Sequence, residues 1–259
     1  MSLQIPYPVT FILSTGRTGT QFFSRYLTDS CQNTLCLHEP APSRRFKWYS
    51  NFYLQKKISS GFIASQYYGC RKRLFRDPDF QNYVESSNFL FGLMPALDPL
   101  IHRMAVVHLV REPVSYIRSH LNKGFWTGIK GFTARHIPGW LESLDKDILR
   151  SGDPVMILAA RWIYVNTIIS NYEKDYPYLL LRFEDLFGKA PETAGKALNA
   201  LRGFIPCTPE TDPEPEKWLS KAINMSSKER CVRYPVEDKH IDYLRSQGSP
   251  LLSKYGYTL

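Results

Sequence analysis

The sequence predicts an α/β fold with a central parallel sheet between two layers of helices, because strand-like and helix-like segments alternate along its 259 residues. The first unit is the β-rich apolar run "PVTFILS", which passes through a glycine-containing turn into the helix-like "TQFFSRYLTDS". The second is "MAVVHLVREPVSYIRSHL", with a strand at 106–110 and Pro113 in the first turn of a helix. The third strand lies in "PYLLLRFEDLF", after a helical pattern at 154–174 that would return the chain to a parallel neighbour.

The rest of the chain is expected to elaborate one domain spanning 1–259. Residues 41–86 are rich in aromatic and basic side chains and predict a helical flanking lobe rather than strands. Residues 122–140 combine glycines, large aromatics and lysines, which is typical of a long loop.

The charge balance favours an anionic partner, since the net charge is +9 and the pI is near 9.3. Nucleic acid, a phosphorylated cofactor, an acidic polysaccharide and a membrane surface all satisfy that requirement. Many of the basic residues lie in "SRRFKWYSNFYLQKK" and "GCRKRLFR". The same pattern is also typical of solvated basic helices with an aromatic underside.

Cysteine usage and hydropathy give two further expectations. The five cysteines form no regular framework, which fits a reducing compartment, and no pattern around Cys31, Cys36 and His38 completes a zinc site. No apolar run approaches the ~20 residues that a membrane span needs. We therefore expect a soluble, cytoplasmic protein without a resident metal.

The turn after the first strand, "STGRTGTQF", has the composition of a phosphate-binding loop. Glycines let a ligand approach the backbone, Arg17 adds a cation, and Thr18 and Thr20 offer hydroxyls that could also cap the helix. The familiar ATP-binding loop has Lys and then Ser or Thr after its last glycine, whereas Gln21 follows Thr20 here. Ordinary tight-turn geometry would also explain the glycines.

A second anion site is indicated at the end of the second strand. Arg111, Ser115 and Ser119 are spaced at i, i+4 and i+8, so a helix beginning near Arg111 would place them on one face at the carboxyl edge of the sheet. An arginine fork with a hydroxyl suits a phosphate.

Together these motifs resemble those of sulfotransferases that use 3′-phosphoadenosine 5′-phosphosulfate (PAPS). "STGRTGTQFF" is similar to the family's 5′-phosphosulfate loop and "LVREPVSYIRSH" to its 3′-phosphate motif. "LLLRFEDL" is similar to the usual "LRYEDL", and "LLSKYGY" resembles the ending of many bacterial members. These segments span most of the chain in the family's order. The resemblance implies a P-loop-like three-layer fold, PAPS as co-substrate, 3′-phosphoadenosine 5′-phosphate (PAP) as product and no required metal.

The resemblance also implies which residues hold the donor. Arg17 would contact the phosphosulfate, Phe22 would face the adenine, and Arg111 with Ser119 would bind the 3′-phosphate. The remaining donor-binding positions are those of the phosphate cradle and of a basic loop in "SSKERCVRY", namely Thr18, Gly19, Thr20, Gln21, Lys228 and Arg230.

Catalysis in this family needs a base for the acceptor hydroxyl, and "LCLHEPAP" supplies one after the first helix. Glu39 is the predicted base, with His38 as the second candidate and Arg17 stabilising the leaving phosphate. Phe183 replaces the tyrosine common in the family, which removes a phenol but keeps a ring. Glu184 and Asp185 are expected to be structural.

The acceptor is expected to be a hydroxyl, or less favourably an amine, on a carbohydrate or other small molecule that could itself be anionic. The lobe at 41–86 and the loop at 122–140 would face it. Nucleic acid is not an expected partner, and the sequence is silent on oligomeric state. Two alternatives stay open: a P-loop-type kinase using ATP, and a non-enzymatic module that binds polyanions.

Overall fold

The computed structural model describes residues 4–76, 79–122, 144–188, 190–209 and 234–259. Within these ranges, a sheet of five parallel strands forms the centre of the molecule, in the order β3-β4-β1-β5-β6. A two-residue antiparallel pair, β2 with β7, lies apart from it. The strands are Val9–Ser14 (β1), Cys31–Gln32 (β2), Thr34–His38 (β3), Asn82–Ser87 (β4), Met104–Val110 (β5), Tyr178–Arg182 (β6) and Thr208–Pro209 (β7). The predicted α/β fold with a parallel sheet is confirmed.

Helices connect and cover these strands. The described α-helices are Thr20–Ser30 (α1), Arg44–Leu54 (α2), Ser60–Arg71 (α3), Met94–Leu97 (α4), Pro113–Leu121 (α5), Lys146–Ser151 (α6), Pro154–Asn171 (α7), Phe183–Phe187 (α8), Pro191–Phe204 (α9) and Asp238–Tyr255 (α10). Short 3₁₀ turns occupy Leu74–Arg76, Asp98–Leu100 and Tyr172–Lys174. Pro113 begins α5, as predicted, and Glu112 caps that helix through two backbone N–H groups.

The alternation of side chains along β1 divides the core into two layers. Phe11 and Leu13 pack toward one layer, which includes Phe46 of α2 and Tyr67 of α3. Ile12 faces the other layer, formed mainly by α1 and α9. Because β1 is buried on both faces, its sequence is a continuous apolar run.

The prediction of a wholly helical lobe at 41–86 is wrong at its end. Residues 44–71 do form α2 and α3, but Asn82–Ser87 is strand β4, which lies between β3 and β1 in the sheet. The strand carries Glu85, Ser86 and Ser87, all fully buried, so it lacks the apolar signature of a central strand. Hydrogen bonds described below satisfy Glu85 and Ser86, and the N–H of Phe89 donates to the hydroxyl of Ser87 at 3.1 Å.

Several sequence predictions fall outside the described residues. These are nearly all of the loop at 122–140, the basic segment with Lys228 and Arg230, and Cys231. In the ranges that are described, no helix is both long and apolar enough to cross a membrane.

Candidate functional site

The turn between β1 and α1 has a backbone that glycine favours. Gly16, Arg17 and Gly19 have φ angles of 86°, 60° and 80°, which lie in the left-handed region. The hydroxyl of Ser14 accepts a hydrogen bond from the N–H of Gly16 at 3.0 Å. A Cβ at position 19 would come within 2.7 Å of the Phe187 ring. Backbone angle and close packing both require these glycines.

The N-terminus of α1 carries no side-chain cap. Gly19 occupies the N-cap position, so the expectation that Thr18 or Thr20 caps the helix is wrong. Thr18 is fully buried, and its hydroxyl has no hydrogen-bond partner within the described ranges. No described residue accepts a hydrogen bond from the backbone N–H of Thr18, Gly19 or Thr20. The turn therefore presents unused donors at the positive end of the helix dipole.

Two basic residues from adjacent strand ends meet at this turn. Nε of Arg17 donates a hydrogen bond to Oγ of Ser119 at 3.2 Å. Nη1 of Arg111 donates to the carbonyl oxygen of Arg17 at 2.8 Å. The structure thus brings together the β1 turn, the end of β5 and helix α5. Because α5 begins at Pro113, Arg111 itself precedes the helix.

Arg111 is positioned from the far side by the segment that follows β6. Its guanidinium carbon lies 4.2 Å from the centre of the Phe183 ring, which keeps the stacking role expected there. Burial lowers the pKa of Arg111, and the nearby Glu184 carboxylate opposes that effect. Glu184 accepts hydrogen bonds from the N–H of Glu112 at 2.9 Å and from the hydroxyl of Tyr257 at 2.7 Å. The structural role predicted for Glu184 is confirmed.

Several buried polar atoms around the turn have no hydrogen-bond partner among the described residues, and they test whether a phosphorylated ligand fits there. Such atoms are Thr15 Oγ1, Thr18 Oγ1, Asn88 Oδ1 and Arg111 Nε. Each buried polar atom left without a partner costs about 1–3 kcal/mol, so native structures seldom tolerate several together. These four lie in segments that follow β1, β4 and β5 at the carboxyl edge of the sheet. Unused donors and acceptors beside two arginines match the needs of a phosphorylated ligand.

Glu39 lies at the end of β3, close to this turn. Its N–H donates to the carbonyl of Ser86 at 3.0 Å, and its Oε1 accepts from the N–H of Asn88 at 3.5 Å. The amide of Asn88 also touches Gly16, where an added Cβ would lie 2.6 Å from Nδ2. Asn88 therefore links the candidate base, Glu39, to the glycine turn that follows β1. Sequence reasoning missed Asn88 because it follows β4, the strand that was not predicted.

The ionisation of Glu39 is biased toward the protonated form. Burial raises its pKa above the ordinary value, the Asn88 hydrogen bond and the charge of Arg44 oppose the shift, and Glu85 adds to it. Glu39 also has a φ of 43°, an angle uncommon for a residue with a side chain. A carboxyl with a raised pKa suits proton transfer near neutral pH.

His38, the last residue of β3, contacts the side chain of Ser86 on the same neighbouring strand. Its Nδ1 lies 3.3 Å from Oγ of Ser86, which in turn donates to the carbonyl of Thr20 at 2.8 Å. Its Nε2 is 3.9 Å from Oε2 of Glu39. Burial lowers the pKa of His38, which favours the neutral ring. Both base candidates thus occupy the same site, one residue apart.

The predicted adenine residue is largely enclosed by protein. Phe22 is 4% exposed, with the rings of Phe187 and Tyr26 centred 5.2 and 5.6 Å from its own. These two rings occupy much of the surface of Phe22. The contact of Phe22 with adenine stays a prediction. Gln21 is exposed at the start of α1.

A buried ion pair behind Glu39 was not expected from the sequence. Nη2 and Nε of Arg71 donate to the two carboxylate oxygens of Glu85 at 2.8 and 3.1 Å, and both side chains are fully buried. The hydroxyls of Tyr67 and Tyr83 donate to the same carboxylate. Arg71 also donates to the carbonyl of Ala41 at 3.1 Å and to Oγ of Ser43 at 3.0 Å. The segment that follows Glu39 is therefore tied to the strand beside it.

Further positive charge lies near the two site arginines. Burial, followed by the charges of Arg161, Arg17 and Arg111, lowers the pKa of His120 to about 3. Burial and Arg161 lower the pKa of Lys47 to about 8. This concentration of basic side chains favours an anionic ligand.

Metal and disulfide chemistry find no support among the described residues. In those ranges, no group of three His, Cys, Asp or Glu side chains is arranged to hold a metal ion. The four cysteines they include, Cys31, Cys36, Cys70 and Cys207, are free thiols.

A parallel sheet with a glycine turn and two arginines at its carboxyl edge defines an α/β protein with a candidate anion site where such folds bind ligands. Solved structures that share the whole fold are sulfotransferases. The sulfotransferase domain from the curacin biosynthetic pathway superposes with a TM-score of 0.57 at 15% identity, covering 99% of this chain and 99% of the other. A sulfotransferase from Alicyclobacillus acidocaldarius gives a TM-score of 0.55 at 13% identity, with 97% of each chain covered. The chain therefore has a sulfotransferase fold. No protein-family model matches the sequence, and no curated protein does.

Proposed function

We propose that the protein transfers a sulfuryl group from PAPS to a hydroxyl group, or less favourably an amine, of an acceptor. The observation that carries the proposal is the meeting of Arg17, Ser119 and Arg111 at the glycine turn. In a sulfotransferase fold, this arrangement offers one anion site at the turn and a second beside α5. A donor with a 5′-phosphosulfate and a 3′-phosphate has the two anionic groups that such a pair of sites requires.

The donor would be held by groups at the turn and beside α5, several of which have no partner among the described residues. The backbone N–H groups at Thr18, Gly19 and Thr20 would bind the 5′-phosphosulfate. Among the described residues, the side chain of Arg17 uses only Nε in a hydrogen bond, which leaves its terminal nitrogens for the same group. Arg111, whose buried Nε lacks a partner, and Ser119 would bind the 3′-phosphate.

The transfer itself requires alignment, charge stabilisation and a base. The acceptor oxygen forms a bond to sulfur while the bond between sulfur and the bridging oxygen of PAPS breaks, and that electron pair leaves with the 5′-phosphate of PAP. Arg17 would stabilise the charge on the leaving phosphate. The hydroxyl proton would pass to the carboxylate of Glu39, which Asn88 holds beside the turn.

Glu39 is favoured over His38 as the base on two grounds, its contact with Asn88 beside the turn and its raised pKa. Asn88 contacts both Glu39 and Gly16, whereas Nδ1 of His38 faces the hydroxyl of Ser86. Burial also raises the pKa of Glu39, so the carboxylate becomes a stronger base than an exposed one. His38 stays the second candidate.

Because the described cysteines are free thiols, we place the reaction in the cytoplasm.

A ligand comparison separates this function from its alternatives. Thermal unfolding is followed with PAP, with ATP and magnesium, and with a polyanion such as polyphosphate. Selective stabilisation by PAP without metal is expected, since a ligand that binds only the native state raises its stability. Transfer of labelled sulfate from PAPS to phenols, glycans, lipids or peptides then identifies the acceptor class. Stabilisation by ATP with magnesium but not by PAP would contradict the proposal in favour of a kinase.

A further inference from the structure

The positive charge of the protein is concentrated in one segment. Residues 40–76 contain nine Lys and Arg residues and no Asp or Glu. The rest of the chain has 24 basic and 24 acidic residues, so this segment accounts for the entire net charge of +9. Arg71 is neutralised by Glu85 in the core, but Arg44, Arg45, Lys56 and Lys57 are exposed. An excess of this size on 37 residues marks a surface for an anionic partner.

Helix α2 presents that charge together with aromatic rings. Arg44, Trp48 and Phe52 follow one another at i, i+4 and i+8 and share a face of the helix, with Arg45 beside them. The opposite face, which includes Phe46 and Ser50, is buried. The exposed side of α2 is thus a stripe that begins with two cations and continues with two aromatic rings.

The aromatic part of the stripe is accessible. Trp48 is 37% exposed and Phe62, on the neighbouring helix α3, is 42% exposed; they are the large hydrophobic side chains exposed in the described part of the chain. The rings of Trp48 and Phe52 are centred 6.4 Å apart, and Nζ of Lys57 lies 5.7 Å from the Phe52 centre. We call Arg44, Arg45, Trp48, Phe52, Lys57 and Phe62 the basic aromatic face.

This face begins beside the proposed base. Helix α2 starts five residues after Glu39, and the charge of Arg44 is close enough to lower the pKa of Glu39. A ligand lying along the face toward Arg44 would therefore extend to the carboxylate that accepts the hydroxyl proton. Neither Arg45 nor Lys56 forms an ion pair with a residue that the structure describes.

We propose that the basic aromatic face binds the acceptor, and that the acceptor is an acidic oligosaccharide, a chain of sugar rings bearing carboxylate or sulfate groups. The inference rests on the proposed sulfuryl transfer. Aromatic rings can pack against the apolar face of a pyranose, while neighbouring arginines pair with its anionic groups. The sugar hydroxyls supply the nucleophile that the site requires.

Charge and shape favour this ligand over a membrane surface. A helix that lies in a lipid interface buries a broad apolar face, whereas the apolar face of α2 is already buried in the protein core. The exposed residues of α2 are Arg44, Arg45 and Trp48, which combine two cations with one ring. Such a surface suits a polar chain that carries regularly spaced anions.

The test measures binding without turnover. An oligogalacturonate of defined length is titrated into the full-length protein and compared with a neutral maltooligosaccharide, a single-stranded oligonucleotide, and phosphatidylcholine vesicles containing phosphatidylserine. We expect oligogalacturonate to bind most tightly and to weaken as salt is raised. Arg45→Glu and Trp48→Ala should each weaken it roughly fivefold or more.

Matched variants separate this surface from general charge effects. Lys196→Glu makes the same charge change as Arg45→Glu on exposed helix α9, which packs on the other side of the sheet, and should leave binding unchanged. Trp48→Phe keeps a ring and should retain most of the affinity. Equal weakening by Lys196→Glu, or tighter binding of the oligonucleotide, the vesicles or the neutral sugar, would overturn the inference. Stabilisation by PAP is scored separately, so the sulfotransferase proposal can stand if this inference fails.

Discussion

Nε of Arg17 donates a hydrogen bond to Oγ of Ser119 at 3.2 Å, although 102 positions separate the two residues in the sequence. The contact exists because β1 and β5 are adjacent parallel strands whose carboxyl ends lie at one edge of the sheet. Arg111 reinforces it by donating to the carbonyl of Arg17. The turn after β1 and the helix after β5 therefore meet at one edge of the sheet, so the two proposed anion sites adjoin each other.

The backbone of the turn should be intolerant of a side chain at position 19. Gly19→Ala would place a methyl group 2.7 Å from the Phe187 ring and force alanine to a φ of 80°, so we expect a loss of about 1–2 kcal/mol in the free energy of unfolding. Gly195→Ala is the matched control, since nothing lies within 4 Å of its added Cβ in helix α9. Urea denaturation compares the two. Equal effects at both positions would contradict the geometry given for the turn.

Glu39→Gln should be more stable than the native protein at neutral pH. Because burial raises the pKa of Glu39 in the folded state, its contribution to stability is present below the unfolded pKa and is lost as pH rises through the folded pKa. Glutamine cannot ionise, so the gain should vanish in acid. Denaturation midpoints measured from acidic to neutral pH check the sign. If the variant were less stable than the native protein at neutral pH and equally stable in acid, the fold would favour the ionised carboxylate. That result would contradict the prediction.

The same substitution should abolish most sulfuryl transfer. Loss of a general base typically lowers kcat by about 10²–10⁴-fold, and PAP binding should persist because Glu39 is assigned to the acceptor side. His38→Asn should retain much of the activity. If the His38 variant lost turnover and the Glu39 variant did not, His38 rather than Glu39 would be the base.

Removing one partner of the buried Arg71–Glu85 pair should be costly. Arg71→Met leaves the Glu85 carboxylate in the core without its counter-ion, which typically costs about 3–5 kcal/mol. It also releases the Ala41 carbonyl and Ser43 that follow the candidate base. Tyr83→Phe removes one hydrogen bond to the carboxylate and should cost about 1 kcal/mol. Calorimetric unfolding measures the loss of stability in both variants. If both losses were small and similar, the pair would not be buried as described.

His108 should contribute to acid unfolding. It lies on β5 between the hydroxyl of Tyr178 at 2.6 Å and Oδ1 of Asn166 at 2.9 Å, and burial lowers its pKa to about 3. A depressed folded pKa gives stability that is present above the unfolded value and is lost as pH falls. His108→Gln should therefore flatten the fall in stability from about pH 6.5 downward. His102→Gln, at an exposed position, serves as the control and should leave the slope unchanged.

Much of the fold could be predicted because its strands follow simple rules. Val9–Ser14 and Met104–Val110 are apolar runs buried on both faces, and turn residues mark where their helices begin. Asn82–Ser87 was missed because Glu85 occupies a core position, and its partner Arg71 lies on another element. A local sequence pattern cannot show that an arginine on another element will pair with a buried carboxylate.

The candidate site, like the fold, could be predicted only in part. The sequence indicated Arg17, Arg111 and Ser119 through the order of strand, turn and helix, and the structure brings them together. Asn88 could not be found without β4, and the capping role given to the threonines was wrong because Gly19 takes the left-handed N-cap position. Residue types indicated which groups are candidates for anion binding, whereas contacts between elements determined how those groups are oriented.

The most direct test of the donor site compares two nucleotides that differ by one phosphate. Isothermal titration measures the affinity of the native protein and of Arg111→Ala for PAP and for adenosine 5′-phosphate, which lacks the 3′-phosphate. The account predicts that PAP binds the native protein more tightly and that Arg111→Ala loses roughly tenfold or more for PAP alone. Arg118→Ala, on the exposed side of α5, should change neither affinity. Equal affinity of the native protein for both nucleotides, or undiminished PAP binding by Arg111→Ala, would contradict the assignment of a PAPS site.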